Sequence, residues 1–219
     1  MHSAVFSDVE GTLVDGSIPQ LALAVGRTIS LFSVSKRLQL AALEGLGRLG
    51  PSKMARTLQL YALLRATAGL RQPEVERWVD ALAPALTARF KPGMWRRLQA
   101  HQAAGRPLVL ISGGLHEGIV RLAAEVGARG EGTRVRQHNG RFSGSVDGPV
   151  CQGTGKAERA RALLAELGYD PQQCFAYGDT LSDLPFLELF GRPHAVDPDP
   201  RLAAEARRRG WPIIDGRGG

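Results

Sequence analysis

The stretch Ala4-Val5-Phe6-Ser7-Asp8-Val9-Glu10-Gly11-Thr12 decides how the rest of the chain is read. Ala4, Val5 and Phe6 build a short apolar strand, and Gly11 lets the backbone turn sharply just beyond it. Asp8 and Glu10 are thereby exposed at the strand's carboxyl end, overlooking the crevice where open α/β sheets bind ligands. Two carboxylates in that place suit reactive acid chemistry. Taken alone, the pentad Asp8-Val9-Glu10-Gly11-Thr12 also reads as an acidic β-turn.

Three later segments bear on the choice: Leu108-Val109-Leu110-Ile111-Ser112-Gly113-Gly114, Gly153-Thr154-Gly155-Lys156, and Phe175-Ala176-Tyr177-Gly178-Asp179-Thr180-Leu181-Ser182-Asp183. Between the first strand and these segments the character changes. From Ser17 to about Leu86 the pattern is helical, and Pro73-Glu74-Val75-Glu76-Arg77-Trp78 opens one helix with a proline and acids in its first turn. Residues 15–90 therefore read as an inserted helical cap, and residues 1–14 with 91–219 as the core. Helices are expected over Met94 to Ala104 and Leu115 to Val126, with a buried strand from Pro107 to Ile111 between them. Asn139-Gly140 between two alternating stretches signals a β-hairpin. A helix from Lys156 to Leu167, a strand from Cys174 to Tyr177, and strand, helix and strand through His194 to Ile214 complete a mainly parallel sheet. Gly216-Arg217-Gly218-Gly219 reads as a disordered end.

Composition narrows the function classes. The chain has 219 residues and is 43% hydrophobic, enough for one substantial core plus a modest inserted module. Its net charge of +7 comes from arginines scattered through helices, with only four lysines: Lys36, Lys53, Lys91 and Lys156. No basic stripe interleaved with aromatics appears, so nucleic acid is not expected as a partner. A positive field favours a phosphorylated substrate or an anionic membrane surface. Cys151 and Cys174 are too few for a disulfide scaffold and fit a reducing cytosol. No signal peptide is expected, and the chain is placed in the cytoplasm, with contact at the inner membrane face as an option.

In order and spacing, the pentad and the three later segments resemble the four motifs of the haloacid dehalogenase-like phosphohydrolases. The resemblance runs to Trp211-Pro212-Ile213. Within that family, Ala176 to Pro185, Ala195-Val196-Asp197-Pro198-Asp199 and Gly210-Trp211-Pro212 look most like the phosphoserine-phosphatase-like branch, subfamily IB. The fold it implies is α/β: a Rossmann-like, mainly parallel sheet with helices on both faces, an inserted helical cap and a small β-hairpin. The activity it implies is Mg²⁺-dependent hydrolysis of a phosphomonoester through an aspartyl-phosphate.

The resemblance also assigns roles. Asp8 takes the nucleophile's position, and Glu10 stands where the family usually has a second aspartate that shuttles the proton. Its extra methylene moves the carboxylate by roughly a bond length; some phosphatases of this branch also carry Asp-x-Glu-Gly. Gly11, Ser112, Gly113 and Lys156 are the phosphate-binding candidates. Asp8, the Glu10 carbonyl, Asp179 and Asp183 are the metal candidates. From the residues alone, Asp179 and Asp183 also read as a loop with a helix N-cap at Ser182 or Asp183, Ser112-Gly113-Gly114 as an ordinary strand-to-helix turn, and Lys156 as a solvated first-turn lysine. No histidine is assigned a role, Cys151 reads as a small buried hydrophobe, and Asp15 and Asp197 as solvated turn residues.

The apolar runs at Ser17 to Ser35 and Met54 to Leu70 are short for a membrane span. Helix-on-helix packing is the expectation there, with a lipid-facing surface as the alternative. Together with the length of this apolar cap, the resemblance implies a small or lysophospholipid-like phosphorylated metabolite as the expected substrate. The competing functions are a weakly catalytic phosphate-ligand or membrane-binding regulator, and a phosphotransferase.

Overall fold

The computed structural model describes residues 3–33, 35–36, 40 and 53–218, apart from the side chains of residues 53–56. Part of the expected cap, residues 34, 37–39 and 41–52, lies outside them. The described elements run β1 (Val5–Ser7), α1 (Ile18–Thr28), α2 (Lys53–Ala66), α3 (Gln72–Thr87), α4 (Pro92–Ala103), β2 (Leu108–Leu115), α5 (His116–Glu125) and β3 (Arg129–Thr133). They continue with β4 (Val135–His138), β5 (Arg141–Val146), α6 (Thr154–Leu167), β6 (Phe175–Gly178), α7 (Leu184–Leu187), β7 (Arg192–Val196), α8 (Pro200–Arg209) and β8 (Ile213–Ile214).

Six strands form a sheet in the order β3-β2-β1-β6-β7-β8, every pair parallel. The expected Rossmann-like α/β sheet is therefore present, and β1 lies at its centre. Because alternate side chains of a strand point to opposite faces, β1 and β2 each serve two cores. Val5, Leu108 and Leu110 enter an apolar cluster with α1, α2, α3, α4 and α5. Phe6, Val109 and Ile111 enter a second cluster with α6, α7 and α8. Buried parallel strands covered by helices on both faces follow from that double use.

Local signals set the helix ends. The Ser17 hydroxyl accepts from Gln20 N at 3.4 Å to start α1. The Glu74 carboxylate accepts from Arg71 N at 2.9 Å at the head of α3. The Asp199 carboxylate accepts from Arg201 and Leu202 N at 3.0 and 2.8 Å to open α8, which closes on Gly210 at φ +68°. Trp78 of α3 is buried, donates its indole N–H to Ala22 O at 2.7 Å and meets the Phe32 ring edge-on at 5.3 Å. The apolar side chains Ile18, Ala22 and Leu23 of α1 and Ala62, Leu63, Leu64 and Ala66 of α2 are buried, which is helix-on-helix packing. Among the described residues no helix is long and apolar enough to cross a membrane.

The hairpin β4–β5 is antiparallel and turns at Asn139 and Gly140, both at positive φ, +49° and +70°. Two expectations need correction. Arg129–Thr133, whose first four residues have no element in the sequence reading and whose Thr133 opens the hairpin there, is a strand of the main sheet paired with β2, and the hairpin starts at Val135. The end of the chain is docked through Gly218 rather than disordered. Gly216 O accepts from Met94 N at 2.9 Å, Gly216 N donates to Asp197 Oδ1 at 3.0 Å, and Arg217 pairs with Asp15 at 2.8 Å.

Candidate active site

The register of the central strands assembles the site. Ser7 lies beside Leu110 on one side and Tyr177 on the other, so the chain leaves β1 at Asp8 close to where Ser112 and Asp179 lie on the neighbouring strands. Asp8 N donates to Tyr177 O at 2.9 Å and Ser7 Oγ to the Asp8 carbonyl at 2.7 Å, which fixes where the Asp8 side chain starts. A tight turn follows, closed by Gly11 N to Val14 O at 2.9 Å and Val14 N to Val9 O at 2.8 Å.

Gly11 sits in that turn at φ +84°, and a Cβ placed on it would lie 2.1 Å from Asp179 Oδ2. Only glycine combines that φ with so close an approach. Gly11→Ala is expected to cost about 1–2 kcal/mol in backbone strain. If the site is catalytic, the displaced Asp179 would lower kcat/KM by roughly 100-fold. Thermal melts beside steady-state assays check both numbers; an alanine variant with wild-type kinetics would contradict the role of this close approach.

Lys156 is buried, at 2% exposure, rather than solvated on the first turn of α6. Its ammonium bridges Asp8 Oδ1 at 2.5 Å and Asp183 Oδ1 at 2.6 Å and lies 5.1 Å over the Phe186 ring. Asp183 precedes α7 without a side-chain hydrogen bond to that helix, and its carboxylate turns back on Thr180 and Lys156 instead. Its Oδ2 accepts from Thr180 N at 3.2 Å and Thr180 Oγ1 at 3.1 Å, a cap on the turn Leu181–Asp183, while Oδ1 faces the lysine. Asp179 receives Thr12 Oγ1 at 3.4 Å. Ser112, buried at the end of the sheet, accepts from Gly114 N at 3.3 Å.

All eight candidates, Asp8, Glu10, Gly11, Ser112, Gly113, Lys156, Asp179 and Asp183, line one cavity of about 340 Å³. Ser17, Pro19, Gln59 and Leu60 from residues 15–90 line it as well. Carboxylate oxygens of Asp8, Asp179 and Asp183 all lie within 4.8 Å of one another. Burial raises the Asp8 pKa to about 6, with Lys156 opposing and Asp183 reinforcing the rise. Burial, then repulsion from Asp8 and Asp183, pushes Asp179 well above the usual carboxylate range. Burial pulls Lys156 down, but Asp183 and Asp8 outweigh it and hold it above its ordinary value. Three carboxylates thus face one lysine, and Asp8 Oδ2 is buried with no hydrogen-bond partner. A hard divalent cation ligated by oxygen fits this donor set.

Sequence reasoning missed several supports. Thr133, fully buried, donates its hydroxyl to Gly113 O at 2.7 Å and accepts from Cys151 N at 3.0 Å, tying the Ser112-Gly113 corner to the Cys151 loop. Cys151 itself is buried and its thiol is pushed up to about 12, chiefly by that burial, in keeping with an inert small hydrophobe. Asp197 is an exposed turn residue, as expected, and its Oδ2 also pairs with the buried Lys91 ammonium at 2.8 Å. Asp15 is exposed and pairs with Arg217. His101 is buried against the Tyr177 hydroxyl at 2.7 Å, outside the cavity lining.

Known proteins are similar to this chain in sequence or in fold. The "Inhibition of morphological differentiation protein" of Streptomyces azureus is 43% identical over 120 residues, which is 54% of this chain and 43% of that protein. The phosphoserine phosphatase SerB1 of Mycobacterium tuberculosis is 38% identical over 120 residues, 54% of this chain and 39% of that protein. The match thus spans about two fifths of these relatives' length. A solved structure from Bordetella pertussis, of a protein of unknown function, has a TM-score of 0.77 at 21% identity over 99% of both chains, a likeness of fold. The model of the haloacid dehalogenase-like hydrolases matches residues 5–188, from β1 to the residue that follows α7, and the chain belongs to that family.

Proposed function

We propose that this chain is a Mg²⁺-dependent phosphomonoester hydrolase working through an aspartyl-phosphate on Asp8. The observation that carries the reading is the Asp8 carboxylate: one oxygen lies against Lys156, and the other is buried, without a hydrogen-bond partner, in a cavity shared with Asp179 and Asp183. A carboxylate so placed can attack phosphorus while the alcohol's oxygen–phosphorus bond breaks, and Glu10 gives the departing oxygen its proton. Glu10 then takes a proton from water as that oxygen attacks phosphorus, releasing phosphate and restoring Asp8. Ser112 Oγ, the Gly113 amide and the Lys156 ammonium stabilise charge on the phosphoryl oxygens. Asp8, the Glu10 carbonyl, Asp179 and Asp183 are the residues to hold Mg²⁺, which when bound would offset the negative charge of carboxylates and phosphoryl group.

Residues 15–90 act as the cap over a core of 1–14 and 91–219, a role supported by Ser17, Pro19, Gln59 and Leu60 in the cavity wall. A space of about 340 Å³ is at the small end of ligand sites. A small polar phosphomonoester suits it better than a lysophospholipid. The inward-turned apolar faces of α1 and α2 also offer less to a lipid or a membrane than their sequence promised. A relative is named phosphoserine phosphatase, which makes phosphoserine the first compound to assay.

Chelation is the expected control. Phosphate release from para-nitrophenyl phosphate should fall to background on treatment with EDTA and return with Mg²⁺. Release that persists after exhaustive chelation, or no release from a broad panel, would contradict the reading. Tight ligand binding without turnover would favour a regulator instead, and phosphoryl transfer to an added alcohol would favour a phosphotransferase.

A further inference from the structure

Among the described residues Lys91 is the other deeply buried lysine, at 5% exposure, and it does not line the cavity. Its ammonium donates to the carbonyl oxygen of Gly11 and, at 2.8 Å, to Asp197 Oδ2. Asp197 is held in turn: it sits at φ +41°, and its Oδ1 accepts from Gly216 N at 3.0 Å. The backbone around Lys91 is equally fixed, with Lys91 N donating to Leu13 O at 2.8 Å and Asp15 N to Arg89 O at 2.9 Å. Arg217 then pairs with Asp15. The segment leaving the core at residues 13–15, the segment returning to it at 89–91 and residues 216–217 are therefore tied together beside one turn, and Lys91 joins them.

Burying an ammonium costs several kcal/mol unless it is paired and hydrogen-bonded. A neutral donor would satisfy a single carbonyl more cheaply. The lysine instead joins a carboxylate on the β7 side to the turn that carries Glu10 and abuts Asp179 through Gly11. That turn has no slack on its other side, where a Gly11 Cβ would already overlap Asp179.

We propose that Lys91, anchored by Asp197, is a positioning residue for phosphoryl transfer: it holds the Gly11 carbonyl so that Asp8, Glu10 and Asp179 keep their mutual geometry. The inference rests on the phosphatase reading above. Ser112, Gly113 and Lys156 lie on other elements, so substrate binding should suffer less than turnover when Lys91 is removed.

The test compares Lys91→Met, Lys91→Arg and Asp197→Asn with the wild type on para-nitrophenyl phosphate and Mg²⁺, at a temperature where melts place each variant on its folded baseline. Lys91→Met should lower kcat roughly 10- to 100-fold with KM within about twofold, the scale on which small misplacements act. Lys91→Arg should recover most of kcat, and Asp197→Asn should fall between. Hydrogen exchange should rise in the peptide spanning residues 8–14 of Lys91→Met and little elsewhere. A folded Lys91→Met with wild-type kcat, or with kcat and KM lost together, would overturn the proposal. Should Lys91→Met not fold, an Asp197→Asn variant with wild-type kcat and wild-type exchange over residues 8–14 would overturn it instead. A wild type without Asp8-dependent turnover would remove the phosphatase reading and this inference with it, whereas an active wild type matched by its Lys91 variants would remove this inference alone.

Discussion

Asp8→Asn should abolish phosphomonoester hydrolysis, with kcat down by roughly 10⁴-fold or more, as when a covalent nucleophile is lost. The protein should meanwhile stay as stable as before, or become more so. Asparagine keeps the shape of the side chain and an oxygen for Lys156, and it removes one of three carboxylates crowded within 4.8 Å. Relief of like-charge repulsion in a buried site raises stability, and a catalytic cluster held against that repulsion is a common cost of function. Kinetics and melting should therefore move in opposite directions. Equal activity in the variant would exclude Asp8 as nucleophile, and a large drop in melting temperature would mean that its charge is structural.

Lys156→Met should have the opposite signature. Asp8 and Asp183 would lose the one cation that bridges them, at 2.5 and 2.6 Å, while remaining buried. Breaking a buried pair by removing one partner costs about 3–5 kcal/mol, which for a chain of this size lowers the melting temperature by roughly 10 °C. Turnover should fall at least 100-fold, the scale of losing one donor to the developing charge. Because the vacated charge invites a cation, saturating Mg²⁺ should return about 2–3 kcal/mol at 100 times its dissociation constant. Melts with and without Mg²⁺ decide the matter; a variant as stable as the wild type in EDTA would contradict the electrostatic account of the site.

Much of this was legible because it is local. Alternation in Val5-Phe6 and in Leu108 to Ile111 assigns side chains to two faces, and those are the two cores found. Asn139-Gly140 specifies its own turn. The motif residues converge because they sit towards the carboxyl ends of adjacent strands, on the turn Leu181–Asp183 that follows β6, or on the first turn of α6. β3 was illegible for a physical reason. Gly130 and Gly132 lie against the backbone of α5 and β2, where Cβ atoms would come within 2.6 Å of Ile119 O and 2.7 Å of Gly114 O. The residues that make close packing possible therefore look like turn signals. Glu131 between them is buried by Arg134 and Arg159, a pairing no periodicity announces. Lys91 and Asp197 lie 106 residues apart, and only the finished fold makes them partners. The docking of residues 216–218 is illegible because Gly216-Arg217-Gly218 offers no apolar side chain to bury; the segment is held through backbone groups and the Arg217 guanidinium.

The most direct measurement is to quench the enzyme in acid during turnover of a phosphomonoester with Mg²⁺ and map the phosphorylated peptide by mass spectrometry. Phosphate should be found on Asp8 and be absent from Asp8→Asn. Steady hydrolysis with no phosphorylated peptide, or with phosphate on another residue, would contradict the account.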